Sequence, residues 1–251
     1  MSKQNDKSST LLFVGCTAAY KKQEIAVNTV KILNKLGIPF SILKDEWCCG
    51  NPLLRTGQRA LAEEMAQHNI EQMKTAETVI TACAECNRTL KIDYPKMGLE
   101  VPQVMHITEF LSGLLDEGKL NLEKPVNMKV TYHDPCYMGR RMDFAIYDEP
   151  RKLLKAIPGI ELIEMENTRE NTWCCGAGGA FKIAHPVEAV ESGIDRLGHA
   201  MKVGAEVIVS SCPFCKANFV DAVKETGSRL QVYDITELIA KSLGVQESQE
   251  V

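Results

Sequence analysis

Ten cysteines are spread over 251 residues, and they fall into two copies of one pattern. The first copy is Cys16, Cys48-Cys49 and Cys83-Ala-Glu-Cys86; the second is Cys136, Cys174-Cys175 and Cys212-Pro-Phe-Cys215. As spacings they read C-x31-CC-x33-CxxC and C-x37-CC-x36-CxxC, with no cysteine left over. Thiolates are soft ligands that suit iron–sulfur clusters and zinc. A structural zinc site takes four ligands, and ordinary cubane or two-iron clusters also take four cysteines. Each half here offers five, in a one-two-two arrangement with wide gaps. The surplus points to an iron–sulfur site that is unusual or leaves one thiol free, with zinc still open as the occupant of one half.

Disulfides are the competing use of an even number of thiols. The chain carries no apolar run long enough for a signal-peptide core or a membrane span, which predicts a cytoplasmic protein with reduced cysteines. A chain of this length buries a core without staples. Adjacent cysteines also point their side chains apart. Net charge is −4 with no basic run, which disfavours nucleic acid and anionic membranes as partners.

Other residues flank the thiols. Gly50 follows the first Cys-Cys pair, and Gly176 opens the Gly-Ala-Gly-Gly179 run after the second. Glycine allows tight turns and close approach of amide N–H groups to sulfide, so both are candidate cofactor-binding positions. His133 precedes Cys136 in His133-Asp-Pro-Cys136, with Arg140 and Arg141 just after. A histidine could protonate a leaving thiolate, and arginines could grip an anionic substrate. Trp47 and Trp173 precede the paired cysteines and are expected to be core residues shielding the sites. His68, Lys44, Arg55 and Lys182 show no pattern beyond ordinary polar residues, and methionines at helical spacing are read as core.

The elements that must position these residues alternate between strand and helix. Leu11–Val14, Pro39–Leu43 and Val79–Ala82 read as strands that end on the three cysteine elements of the first copy. Between them, 22–36 and the stretch containing Leu61, Met65 and Met73 read as helices. Val130–Tyr132, Ile160–Met165 and Val207–Val209 repeat the strands, and helices starting at Pro150 and around Val187–Met201 repeat the covering layer. The repeat reaches beyond cysteine: Trp47-Cys-Cys-Gly50 matches Trp173-Cys-Cys-Gly176, and Ile107-Thr-Glu-Phe-Leu111 matches Ile235-Thr-Glu-Leu-Ile239. A period of roughly 125 residues implies duplicated domains rather than a solenoid. The expected fold is therefore α/β: two duplicated Rossmann-like parallel-sheet domains, 1–126 and 127–251, with 116–127 as linker. The metal sites fall at the carboxyl edges of the strands, near the domain interface. Residues 1–10 form a polar tail expected to be mobile.

With its C-x31-CC-x33-CxxC spacing, Cys-Cys-Gly signature and duplicate set, the chain resembles the cysteine-rich domain of the B-type heterodisulfide reductase subunit and the carboxyl half of the D-type one, from Cys16 to Ile239. The same module occurs in iron–sulfur subunits of glycolate, lactate and glycerol-3-phosphate dehydrogenases. The resemblance implies a noncubane [4Fe-4S] cluster on each set, held by Cys16, Cys48, Cys49, Cys83 and Cys86 and by Cys136, Cys174, Cys175, Cys212 and Cys215. It also implies a small disulfide or thiol substrate of the coenzyme M–coenzyme B type, taken between the two sites. No CxxCxxCxxxCP motif stands in the sequence, as in the stand-alone B-type protein. Electrons are then expected from a ferredoxin-like iron–sulfur subunit, with a flavoprotein subunit as a further partner. The alternative expectation is an electron relay in an organic-acid dehydrogenase.

Overall fold

The computed structural model describes residues 9–245; residues 1–8, most of the expected mobile tail, lie outside them, as do residues 246–251. Two four-stranded sheets, every pairing parallel, carry the described chain. In the first, β1 (Thr10–Phe13), β2 (Ser41–Ile42), β3 (Thr78–Thr81) and β4 (Gln103–His106) run in the order β2-β1-β3-β4. In the second, β5 (Met128–Tyr132), β6 (Ile160–Leu162), β7 (Val207–Ser210) and β8 (Gln231–Asp234) run β6-β5-β7-β8. The order is the same in both, as duplication requires. Helices cover the faces, which is why the central strands are apolar without alternation: Val207, Ile208 and Val209 are all buried.

Two strands went unread in the sequence. β4 and β8 hold few apolar residues, and their role shows only in the helix that comes after each. The repeated Ile-Thr-Glu is the first turn of a helix closed by a capping box. Asp234 accepts from the Thr236 amide at 2.9 Å while Glu237 accepts from the Asp234 amide at 2.7 Å. His106 and Glu109 do the same at the head of helix Ile107–Asp116, with 3.2 Å from the Thr108 amide and 2.8 Å from the His106 amide. The strand expected over 39–43 shrinks to Ser41–Ile42, an exposed edge.

The halves interlock. The last helix of the second half, Ile235–Ser242, packs on Gln23–Lys35 of the first, and Ile107–Asp116 packs on Asp148–Ala156. One hydrophobic core therefore runs through both sheets, from Leu12, Ile32 and Ile80 to Val130, Val207 and Ile239. Buried Lys216 adds an ionic tie, 2.7 Å from Glu24 and 2.5 Å from Glu237. Residues 117–127, expected as a linker, bury Leu120, Leu122 and Val126 in that core, at roughly 1.5–3 kcal/mol each. Their backbone is tied down too, with the Lys124 amide on the Ser242 carbonyl at 2.9 Å.

Candidate metal centre

Every cysteine follows a strand end or sits on the loop that faces one. Cys16 and Cys83 come just after β1 and β3, and Cys136 and Cys212 just after β5 and β7. Parallel strands end on one edge, so residues far apart in sequence converge there. The convergence is tighter than two separate sites. Cys16 and Cys48 lie 3.7 Å apart, Cys48 touches Cys49, Cys49 touches Cys86, and Cys86 touches Cys83. In the other half Cys136 touches Cys174, Cys174 touches Cys175, Cys175 touches Cys215, and Cys215 touches Cys212. Cys83 and Cys212 lie close enough to shift each other's ionisation, which links the two sets into one array. All ten are free.

Such crowding does not let ten protons leave at once. Hydrogen bonds from Cys48 and Cys86 pull Cys49 down to about 5. Bonds from Cys136 and Cys175 pull Cys174 far below the thiol range, and those from Cys215 and Cys83 do so for Cys212. Their neighbours shift the opposite way: Cys86 is pushed up by Cys49 and Cys83, and Cys215 by Cys175 and Cys212. Replacing the shared protons by metal cations relieves this repulsion, and a soft donor set of this size fits iron–sulfur chemistry. At the second set one ring nitrogen of His133 and the sulfurs of Cys175 and Cys215 lie within 4.8 Å of one another, a further ligand geometry.

Glycines bring backbone to sulfur. Gly15 has φ of 79°, and a Cβ there would stand 3.1 Å from the Cys86 sulfur. The Gly176 amide donates to Cys174 at 3.4 Å, and the Gly50 amide bonds Cys48 in the same way. Both candidate glycines are thus sulfur donors.

The residues inside each CxxC cross to the other half. Glu85 is buried and accepts from the Gly179 amide at 2.9 Å; burial, then the nearby Cys212, pushes its carboxyl up to about 8. Phe214 in return lines the enclosed cavity at Cys16, Cys48, Cys49, Cys83 and Cys86. Neither was singled out from sequence, because a CxxC draws attention to its ends.

The polar residues near Cys136 divide their work. His133 is buried, and burial with the adjacent Arg196 holds its imidazole well below the usual range. Asp134 is buried against Arg151 in a two-pronged pair at 2.6 and 2.9 Å, which fixes the end of β5. Arg140 donates to the Thr172 carbonyl. Arg141 stands over the Tyr137 ring, 5.6 Å from its centroid, joined by Arg55 and Arg88 at 5.9 Å each. Asp93 pairs with Arg55 and Arg88, leaving the trio with two net positive charges. A cleft of about 280 Å³ lies here, lined by Arg55, Tyr137, Arg141, Gly178 and Gly179 and floored by Cys136 and Cys174. Arg55 looked ordinary in sequence, since its partners lie 38 or more residues away.

The tryptophans correct an expectation. Trp47 and Trp173 are 37% and 50% exposed; each lies against a helix histidine, Trp47 stacked on His68 at 4.0 Å and Trp173 edge-on to His199 at 4.7 Å. They cover the cysteine loops from outside instead of filling the core. Met201 and Leu61 are likewise exposed, whereas Met73 is core. Lys182 is held by Asn218 at 2.7 Å and by Asp221.

Five thiols gathered at the carboxyl edge of each parallel sheet define a duplicated α/β thiolate protein. Residues 10–91 and 130–220 match the cysteine-rich domain family known as CCG, and the chain belongs to it. It is 44% identical over 254 residues to the D-type subunit of the dihydromethanophenazine:CoB–CoM heterodisulfide reductase of Methanosarcina barkeri, covering 98% of this chain and 62% of that protein. Identity is 36% to the B-type subunit of the fumarate reductase (CoM/CoB) of Methanothermobacter marburgensis, over 94% of this chain and 47% of the relative. It is 34% to the EtfAB:quinone oxidoreductase of Syntrophomonas wolfei, over 93% and 34%. The chain thus spans less than two thirds of the length of each of these relatives. Among the described residues, no helix is long and apolar enough to cross a membrane.

Proposed function

We propose that the chain is the catalytic iron–sulfur subunit of a heterodisulfide reductase-like complex, reducing a disulfide to two thiols or running the reverse. The observation that carries this is the continuous array of ten free thiols joined at Cys83 and Cys212. In this reading the two sets, Cys16, Cys48, Cys49, Cys83 and Cys86 and Cys136, Cys174, Cys175, Cys212 and Cys215, each hold a noncubane [4Fe-4S] cluster within its own domain, 1–126 or 127–251. A cluster held on each set would supply electrons one at a time, and the two sets together would meet the pair that an S–S bond takes up. Gly50 and Gly176 donate amide hydrogen bonds to the sulfurs and favour their anionic form.

The protein's own residues select and orient. Arg55 and Arg141 hold an anionic end of the substrate in the cleft above Cys136 and Cys174, with Arg88 adding positive charge behind Tyr137. Tyr137 keeps the guanidinium planes in place by cation–π contact. In this reading a ferredoxin-like iron–sulfur partner feeds the array, and a flavoprotein is a further partner. Free thiols accord with a cytoplasmic setting.

The test uses anaerobically purified, chemically reduced protein and two disulfides, one with sulfonate ends and one with hydroxyl ends. Turnover that prefers the anionic disulfide and stops in both Cys86→Ser and Cys215→Ser is the expected result. Normal turnover in Cys86→Ser would make the first set structural. The similarity to an EtfAB:quinone oxidoreductase favours a second reading, an electron relay, in which neither disulfide turns over but the sites still cycle redox state.

A further inference from the structure

The two cysteine sets are alike in their thiols and opposite in what surrounds them. Arg196 is fully buried in helix Pro186–Lys202, and no carboxylate among the described residues pairs with it. Its contacts are His133 Nδ1 at 3.3 Å, Thr172 Oγ1 at 3.3 Å and His199 Nδ1 at 3.3 Å. The nearest buried acid, Asp134, is already taken by Arg151. A buried, unpaired guanidinium is strongly unfavourable unless a negative charge lies close. The second thiolate set is the anion within reach, one imidazole away.

That imidazole has a fixed orientation. An arginine only donates, so Nδ1 of His133 is the acceptor and the ring proton sits on Nε2. Nε2 is buried and has no partner among the described residues. Phe219 packs edge-on at 4.9 Å and holds the ring, while the sulfurs of Cys175 and Cys215 gather beside it. An orphaned N–H thus sits on a ring that lies beside the second set, one of its nitrogens within 4.8 Å of the Cys175 and Cys215 sulfurs, backed by a cation.

The first set has neither device. Phe13 stands where His133 stands, three residues before the leading cysteine. Where Arg196 faces Thr172 beside the second Trp-Cys-Cys loop, the first loop meets neutral Asn69, which bonds the Trp47 amide at 3.0 Å and the Cys48 carbonyl at 3.2 Å. A half-buried carboxyl, Glu46, lies beside the first set on the Val14 and Gly15 amides at 2.8 and 2.7 Å, while Glu85 stands between the sets, near Cys212 as well as Cys16. Positive charge and hydrogen bonds to sulfur raise a cluster's reduction potential, and negative surroundings lower it.

We infer that Arg196 and His133 form a charge-backed hydrogen-bond relay that makes the second cysteine set the stronger electron acceptor of the pair. One electron leaves the first set, which is oxidised by one, and arrives at the second, which is reduced by one. The added negative charge settles against Arg196 through the His133 N–H. This rests on the reading that both sets hold clusters. Arg196 and His133 are positioning residues here, since they act on the potential of the site.

The experiment is a redox titration of the anaerobically purified protein followed by electron paramagnetic resonance, with iron measured on each sample. Cys86→Ser and Cys215→Ser assign the signals to the two sets. In Arg196→Met and His133→Phe the second-set signal should need a lower potential for reduction, its equilibrium moving by on the order of tenfold for the loss of a nearby charge. The first-set signal should stay put, and Arg196→Lys should restore part of the shift. An unmoved second-set signal in His133→Phe and Arg196→Met, with iron intact, overturns the inference; so does an equal shift of both signals. Wild-type protein without iron on the second set overturns the underlying reading as well, and the iron assay separates that failure from the first.

Discussion

Gly176 shows how much a single residue carries at these sites. Its φ is 87°, and a Cβ would fall 2.6 Å from the Ala189 carbonyl oxygen in the helix that closes over the second set. Gly176→Ala is therefore expected to cost about 1–3 kcal/mol through backbone strain alone. Because the same amide donates to Cys174, iron retention should fall more at the second set than at the first, read by metal analysis after gel filtration. The arginine cleft makes a separate prediction. Arg141→Gln and Arg55→Gln each remove one charge-assisted contact, worth about 1.5–3 kcal/mol. kcat/KM for a sulfonate-ended disulfide should drop about tenfold or more, with the hydroxyl-ended disulfide unaffected. Equal losses on both substrates would assign these arginines to structure instead. The cysteines and both glycines stand out in the sequence because their spacing repeats, and His133 because the first copy has Phe13 at its place. Glu85, Phe214, Arg88 and Arg196 were not, since they act across the halves or through helix packing, where sequence spacing carries no signal.

At the scale of elements, the central strands β1, β3, β5 and β7 are short apolar runs and read to within two residues at their ends, whereas the edge strands β2 and β6 are shorter than the sequence suggests. β4 and β8 escaped because Gln103-Val-Met-His106 and Gln231-Val-Tyr-Asp234 bury only alternate or terminal residues at one sheet edge. Their helices were nonetheless marked. Asp234-Ile-Thr-Glu237 is a capping-box signature, and histidine in place of aspartate hid its twin at His106. Removing the reciprocal acceptor in Glu237→Ala should cost about 1 kcal/mol, lowering Tm by roughly 2–4 °C in a chain of this size. Glu237 also holds buried Lys216, so a double-mutant cycle with Glu24→Ala should show coupling, as both acids share that ammonium. Independent, additive losses would mean that Lys216 does not tie the halves together.

On the scale of the whole molecule, duplication produced two sheets that share a core cluster. Each half lends its last helix to the other, and Leu120, Leu122 and Val126 of the connecting stretch lie in the shared interior. The sequence repeat reveals the copies clearly and says nothing of this exchange, because reciprocal packing leaves no periodic trace. It brings Cys83 against Cys212 and so turns two sites into one array. Residues 9–126 and 127–245 made separately should each expose apolar surface and aggregate, and mixing should recover soluble protein. The central claim is that this array holds two four-iron clusters. Its most direct test is the iron and acid-labile sulfide content of anaerobically purified protein beside Cys86→Ser and Cys215→Ser. Two such clusters predict about eight irons per chain with matching sulfide, and about four in each variant. Stoichiometric zinc, or an iron content that neither substitution lowers, would contradict it.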